Sequence, residues 1–452
     1  MGSKPSLCPI GLKLRQVPLL HCIFFCRKWS RTGAKVRSTS VFPLRAPATP
    51  VRKVLFTDEF VQDPYPMYGR LLEEGPLHFV DVSGSPWGVW AVFSHADCSA
   101  VAKDPRLSAK RIDRMLLSLP IDRQGEFGEL VRMLSLWMIF IDPPEHTRMR
   151  KLMNKGFSQS AAEALRPQLE KIVDGILDPL GDVSKADLVH ELAYPMSVRA
   201  ISELLGVPET MHDSFLRWSA AIADFNGSPH RTVEHAQNAQ NAVHALTDFF
   251  RGAVAERRRN MGSDLLSLLI NIKEEGEALT EEELYAQCVM LLFAGHETTR
   301  NLIASGIYSL LREPEKMAEL RENPALIRTA VEEFLRFESP IQYTARVAME
   351  DIELCGVRIR KSQALWCMLG AANRDPKQFK DPDTLNLKRM NNQHLAFSAG
   401  PHFCIGSQLA RLEAQVVILR IIQRFPKMRL AQRAEWALNF GFRGLKALHV
   451  EI

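Results

Sequence analysis

The segment Phe397-Ser398-Ala399-Gly400-Pro401-His402-Phe403-Cys404-Ile405-Gly406 decides how the rest of the chain is read. It leads into an amphipathic stretch expected to be helical from Ser407 to about Arg424. A cysteine at a helix N-terminus meets the positive end of the helix dipole and several free backbone N–H groups. Both are expected to lower its pKa and favour thiolate, the metal-binding form. Gly400 and Gly406 permit tight turns and let a flat group approach the backbone. Read alone, such a residue is more commonly a buried structural cysteine. A zinc site from His394, His402 and Cys404 is a third option, though it lacks a fourth ligand at conventional spacing.

Working back from this loop, Thr280 and Glu283 form a capping box that opens a stretch free of proline until Pro314. At 1.5 Å per residue the expected helix is roughly 45 Å long, enough to cross a domain. Its middle is apolar nearly all round and is expected to be buried. Within it lies Ala294-Gly295-His296-Glu297-Thr298-Thr299. An acid there costs several kcal/mol unless solvated or paired, and glycine costs about 1 kcal/mol relative to alanine. Features that local stability disfavours tend to lie at functional sites. Gly295 is expected to open the helix to a ligand, with Glu297 and Thr298 passing protons. The alternative is a bent helix in which Glu297 is ion-paired with Arg300 or His296.

The cysteine segment resembles the haem-binding signature of the cytochrome P450 family, Phe-x-x-Gly-x-His-x-Cys-x-Gly, with every fixed position filled. The hexamer is similar to that family's oxygen-activation motif, and Thr298 lies 106 residues before Cys404. The resemblance spans roughly residues 55–452. It implies a mainly α fold with a small β portion, a single large domain with a long central helix crossing over the haem. It makes Cys404 the axial thiolate on haem b, which pushes electron density to iron. Glu333-Phe334-Leu335-Arg336 resembles the family's Glu-x-x-Arg structural pair. Asp142-Pro143-Pro144-Glu145-His146-Thr147-Arg148-Met149-Arg150 places His146 and Arg150 one turn apart on one face. These two, with Arg346 and His402, are the expected contacts to the haem propionates. Phe397, Gly400 and Gly406 complete the expected haem-binding set. One departure is clear: the usual Arg-Phe after Pro382-Asp383 is Thr384-Leu385. The third partner of Glu333 and Arg336 then falls to Arg389 or Arg374.

Composition agrees with a globular enzyme. Of 452 residues, 46% are hydrophobic and 24% charged, ample for a large core and ordinary for a globular chain. Eleven Lys and Arg lie in residues 1–53, which hold no acid, so a formal +5 leaves −6 for residues 54–452. Nucleic acid is therefore not an expected partner. Residues 1–53 form a basic extension, read as disordered or targeting-like, and 54–452 as the catalytic domain. The apolar run Val17–Cys26 falls short of the roughly 18 residues needed to cross a bilayer. The eight cysteines have no paired Cys-x-x-Cys spacing, which suits a reducing compartment. A cytoplasmic monomer is expected, with organelle targeting through the extension as the alternative. Helical periodicity marks 158–180, 187–206, 212–225 and 232–258, with a break at Asn226-Gly227-Ser228-Pro229. Val80–Ser94 and Ile352–Met368 read as β, with a hairpin turn at Gly356.

The expected activity is that of a haem-thiolate monooxygenase, which hydroxylates or epoxidises a lipophilic molecule of polyketide, fatty-acid or terpenoid type. With 48 residues after Cys404, no electron-transfer module is expected in the chain. Electrons are expected from NAD(P)H through a reductase and a ferredoxin or flavodoxin. Lys388, Arg389 and Arg411 are candidates for the docking patch. Pocket residues are expected from 107–141, 216–245, 293–298, 340–344 and 439–443. The alternatives are a haem-thiolate peroxygenase or isomerase, and a non-catalytic haem sensor.

Overall fold

The computed structural model describes residues 55–82, 88–228, 231–273 and 276–452. The expectations for residues 1–53 lie outside the described residues. The helix on which the fold is built is Glu281–Arg312. Its cap forms as the sequence requires: Glu283 N–H donates to Thr280 Oγ1 at 3.2 Å and Thr280 N–H to Glu283 Oε2 at 2.8 Å. Nearly every side chain from Leu284 to Leu311 is buried, which answers to an apolar pattern on all faces.

Seven further helices frame the site. They are α1 (Glu145–Met153), α2 (Arg166–Leu180), α3 (Tyr194–Leu205), α4 (His212–Gly227), α5 (Val233–Arg259), α7 (Ile327–Phe337) and α8 (Ser407–Arg424), with the central helix as α6. Helix α6 packs against α3, α4, α5, α7 and α8. Two expected helices are subdivided, each beside a proline that cannot donate to the helical ladder. The stretch 158–180 breaks at Leu165, before Pro167. The stretch 187–206 begins as a wide π turn, Val189–Ala193, before Pro195 in the first turn of α3. Helix α4 ends at Gly227, within the expected break.

The small β portion is a five-stranded sheet of β1 (Leu77–Val80), β2 (Val89–Val92), β3 (Leu107–Ser108), β4 (Tyr343–Ala348) and β5 (Ala364–Met368), in the order β1-β2-β5-β4-β3. Strands β2 and β5 run parallel with Val89 opposite Ala364, and the other pairings are antiparallel. The hairpin Ile352–Leu354 with Val357–Ile359 turns at Cys355 and Gly356, both at positive φ.

The core divides around α6. One cluster gathers Leu302–Leu311 with α2, α3, α7 and α8. The other gathers Leu284–Phe293 with α4, α5 and residues 112–153. The stretch between, 294–301, belongs to neither, so the polar hexamer lies at the seam of two greasy bodies. The site opens at this seam.

Candidate active site

The cysteine loop is folded back on itself before α8 begins. Cys404 N–H donates to Phe397 O at 3.0 Å, and Phe403 N–H to Gly400 O at 3.0 Å. Gly400 has φ +70°, and a Cβ there would stand 2.9 Å from Ala102 O, so this turn admits only glycine. Gly406 differs: its φ is −82°, and a Cβ would meet nothing within 4 Å. What its missing side chain leaves open is the cavity, which Phe397, Cys404 and Gly406 all line. Cys404 is half-buried because it faces this cavity. One expectation is corrected: burial raises the Cys404 thiol, and the Gly406 N–H, Arg150 and Arg411 offset that only in part. Desolvation by the surrounding core outweighs the helix terminus.

The cavity measures about 390 Å³ and lies between the cysteine loop and α6. His146, Arg150, Arg346 and His402, expected to meet one ligand, all line it. The His146 and His402 rings sit 4.1 Å apart. Arg150 Nη1 donates to Phe403 O at 2.6 Å, tying α1 to the cysteine loop. Arg346 Nη1 donates to Ala345 O at 2.9 Å, while its Nη2 and His146 Nε2 are buried with no partner. Burial first, then Arg346, His146, Arg111 and Arg150, drive His402 down to about 2. Burial and Arg150 lower His146 as well. Such a gathering of donors is costly without anions. The residues present thus fit a haem, whose carboxylates would meet the orphaned donors and whose iron would meet Cys404. Zinc is not favoured by the geometry: His394 bonds Glu332 at 3.1 Å, and no cluster of three ligating side chains occurs among the described residues.

Across the cavity, α6 presents Ala294, Gly295 and Thr298. The helix is unbroken here, contrary to the expected opening at Gly295. A Cβ on Gly295 would stand 2.9 Å from Ile201 Cδ1, so the glycine admits α3 as well as the cavity. The Thr298 hydroxyl donates to Ala294 O at 2.6 Å. Glu297 does not line the cavity. Its carboxylate is ion-paired with Arg300, which lies over the Tyr194 ring at 4.3 Å. The ion-paired alternative is therefore the arrangement found. His296 is buried and driven down to about 3 by desolvation, with Ser219 Oγ at 3.2 Å from Nδ1.

Residues 133–433 match the Cytochrome P450 family. The chain is a cytochrome P450. It is 37% identical over 402 residues to the biotin biosynthesis cytochrome P450 of Bacillus subtilis, covering 87% of this chain and 97% of that protein. It is 39% identical over 401 residues to the cytochrome P450 monooxygenase PikC of Streptomyces venezuelae, covering 87% and 92%. A crystal structure of P450BioI with an acyl carrier protein bearing hexadec-9Z-enoic acid superposes with a TM-score of 0.82 at 35% identity, covering 87% of this chain and 99% of that one. The P450 is an oxidoreductase of the monooxygenase class, and its chemistry is haem-thiolate, O2-dependent oxidation.

Behind the haem-facing loop of the P450, Glu333 and Arg336 are fully buried and bonded at 2.7 and 2.8 Å. Arg336 Nη1 also donates to Asn373 O at 2.9 Å and Pro382 O at 2.7 Å. The third partner is Arg389, whose Nε reaches Glu333 at 3.0 and 3.2 Å. Arg374 pairs with Asp383 instead. Thr384 contributes its carbonyl, which accepts from both Arg336 and Arg389 at 3.3 Å. The backbone thus keeps a role where the side chain has changed. Each residue offered for a docking patch is ion-paired within the chain: Arg389 with Glu333, Arg411 with Glu332 at 2.7 Å, and Lys388 with Glu319 at 2.7 Å.

Every segment expected to line the pocket contributes to it, but Leu134 and Trp137 are core instead. Sequence reasoning missed Ile201, Met290, Trp366 and Glu413 in the lining. Arg111 and Arg231 fall within the expected segments, but in sequence they look like ordinary surface charges and neither was singled out. Glu413 is a buried acid on α8 that burial raises well above the usual range, with one carboxyl oxygen unpaired. No helix among the described residues is long and apolar enough to cross a membrane.

Proposed function

We propose that this P450 inserts one atom of dioxygen into a C–H or C=C bond of a lipophilic secondary metabolite, of polyketide, fatty-acid or terpenoid type. The observation that carries this is one cavity lined at once by Cys404, Thr298 and a mainly apolar wall. Bound haem b would supply the reductive activation of dioxygen. Cys404 would hold the iron, and His146, Arg150, Arg346 and His402 would hold the propionates. Phe397 and Gly406 would lie beside the bound group, and Gly400 sets the turn. Glu333 and Arg336 steady the loop from behind. The Thr298 hydroxyl releases Ala294 O to hand a proton into the cavity. When its pair with Arg300 opens, Glu297 takes up a proton from solvent and passes it on to the Thr298 hydroxyl. Met115, Leu117, Met138, Ile139, Met290 and Phe293 exclude water from the reacting carbon. The relative crystallised with a sixteen-carbon acyl chain supports an extended apolar substrate.

Electrons come from NAD(P)H through a separate reductase and ferredoxin or flavodoxin. The enzyme works as a monomer in the cytoplasm, and the compartment is supported by the free thiols at Cys98, Cys288, Cys355, Cys367 and Cys404. The test compares wild type, Thr298→Ala and Cys404→Ser. Cys404→Ser should abolish the thiolate-type spectrum of the reduced, carbon monoxide-treated protein. Thr298→Ala should keep that spectrum but divert donor electrons to hydrogen peroxide. Undiminished, tightly coupled turnover in Thr298→Ala would refute the proton-delivery role.

A further inference from the structure

The P450 supplies an acid to most of its deeply buried arginines. Arg336 has Glu333 and Arg443 has Glu338 at 2.5 Å, while Arg300 has Glu297. Arg346 has none, and it is among the residues that would hold the haem carboxylates. Two more cavity-lining arginines, Arg231 and Arg111, have no ion pair among the described residues. The charges that act on His402 are Arg346, His146, Arg111 and Arg150, and Arg231 is not among them.

Arg231 is held rigidly. Its Nε donates to Phe225 O at 2.7 Å and its Nη2 to Asn226 O at 3.0 Å, both carbonyls in the last turn of α4. Its guanidinium carbon lies 5.5 Å from the centre of the Phe225 ring. These contacts fix the group but bring no full negative charge, and the residue lines the cavity. Tyr343 is within reach of Arg231 from β4. Arg111 is fixed in the same style. Its Nη1 donates to Ala109 O at 3.0 Å, and its guanidinium carbon lies 4.5 Å from the centre of the Phe140 ring. The acid that acts on it, Asp142, already accepts from Ser108 Oγ at 2.5 Å and Ala109 N–H at 2.7 Å. Burial, Arg346 and Arg231 depress Arg111 to about 9. Two desolvated cations aimed at one chamber are disfavoured and belong where an anion arrives.

We infer that Arg231, with Tyr343 and Arg111, forms a carboxylate subsite in the substrate chamber, so that the substrate is an acid with an apolar body and a free carboxylate. This rests on the oxygen-inserting reading of the cavity and narrows it. The subsite anchors one end of the substrate, and the apolar lining takes the chain that leads to the carbon over the haem.

The test titrates the holoenzyme at mildly alkaline pH with saturated acids of roughly ten to sixteen carbons and with their methyl esters, following the Soret shift. Wild type should bind the preferred acid roughly tenfold or more tighter than its ester, the factor a charge-assisted hydrogen bond supplies. Arg231→Gln should bring that preference within about twofold, and Arg231→Lys should restore part of it. Equal acid and ester affinity in wild type, no shift with any acid, or an equal loss for both ligands in Arg231→Gln overturns the subsite. The last result would reduce Arg231 to a tether for the end of α4. The two readings fail separately: a missing thiolate-type spectrum sinks the oxygenase reading, whereas an ester preference with that spectrum intact sinks the subsite alone.

Discussion

Replacing Arg389 by alanine tests whether it has taken over the place left by Thr384-Leu385. Arg389 is 10% exposed and Glu333 0%, so bulk water screens their pair little. Losing one partner of a buried ion pair costs about 3–5 kcal/mol. Glu333 is better protected than that figure assumes, because Arg336, the Asn386 N–H at 3.0 Å and Asn392 Nδ2 at 3.0 Å still donate to it. The carbonyls of Lys380 and Asp381, which Arg389 also serves, can turn to solvent. The expected loss therefore falls below that range, about 2–3 kcal/mol. Arg336→Ala should cost more, about 4–5 kcal/mol, since it also strips Asn373 O and Pro382 O of their donor. Arg374→Ala should cost less, about 1–2 kcal/mol. Its partner Asp383 is 76% exposed, which leaves the stacking on Phe337 at 3.7 Å and Tyr65 at 4.0 Å and the bonds from Nε and Nη2 to the single carbonyl of Phe337 at 3.2 and 2.8 Å. Urea midpoints from tryptophan fluorescence, with haem retained per chain as a second readout, give the ranking. If Arg374→Ala proved as damaging as Arg389→Ala, the assignment of the third partner would be wrong.

Two other outcomes can be checked on the same material. Glu332 is opposed by burial, but hydrogen bonds from His394 and Arg411 prevail and hold its carboxyl at about 2, against 4.5 for the free side chain. Its contribution is present above the unfolded value and lost as pH falls from 4.5 toward 2. Glu332→Gln should flatten the acid limb of the stability profile over that window, and an unchanged slope would contradict the pairing. A Cβ on Gly227 would lie 2.1 Å from Asn439 Oδ1 and 2.7 Å from Phe442 Cδ2. Gly227→Ala should therefore destabilise by about 1–3 kcal/mol, the usual cost of overpacking, read from the thermal midpoint. Wild-type stability in that variant would mean the contact is not held closed in solution.

The parts of the site written in one stretch of sequence were legible. The cysteine loop, the Thr280–Glu283 cap and the helix it opens need only local spacing to be recognised. What depends on tertiary company was not. The terminus of α8 favours thiolate locally, yet burial of the sulfur against the core of α2, α3, α7 and α8 prevails. Glu297 was equally compatible with a relay facing the cavity and with an internal pair, and only the position of Arg300 over Tyr194 decides the resting arrangement. Arg389 and Arg374 were indistinguishable until folding placed one beside Glu333 and the other beside Asp383. Arg111 and Arg231 carry the same letter as any solvated arginine. The one hint was position, Arg111 at the head of a Met- and Leu-rich stretch and Arg231 just past a helix break.

Gly441 N–H donates to Gly227 O at 3.1 Å, and a Cβ on Gly441 would stand 2.9 Å from Gly227 Cα. Two glycines more than two hundred positions apart thus cross backbone to backbone above the chamber. Chimeras assembled from this enzyme and its relatives should respect that crossing. A junction placed between residues 230 and 437 would join halves from different parents exactly where they touch, so both segments have to be inherited from the same one.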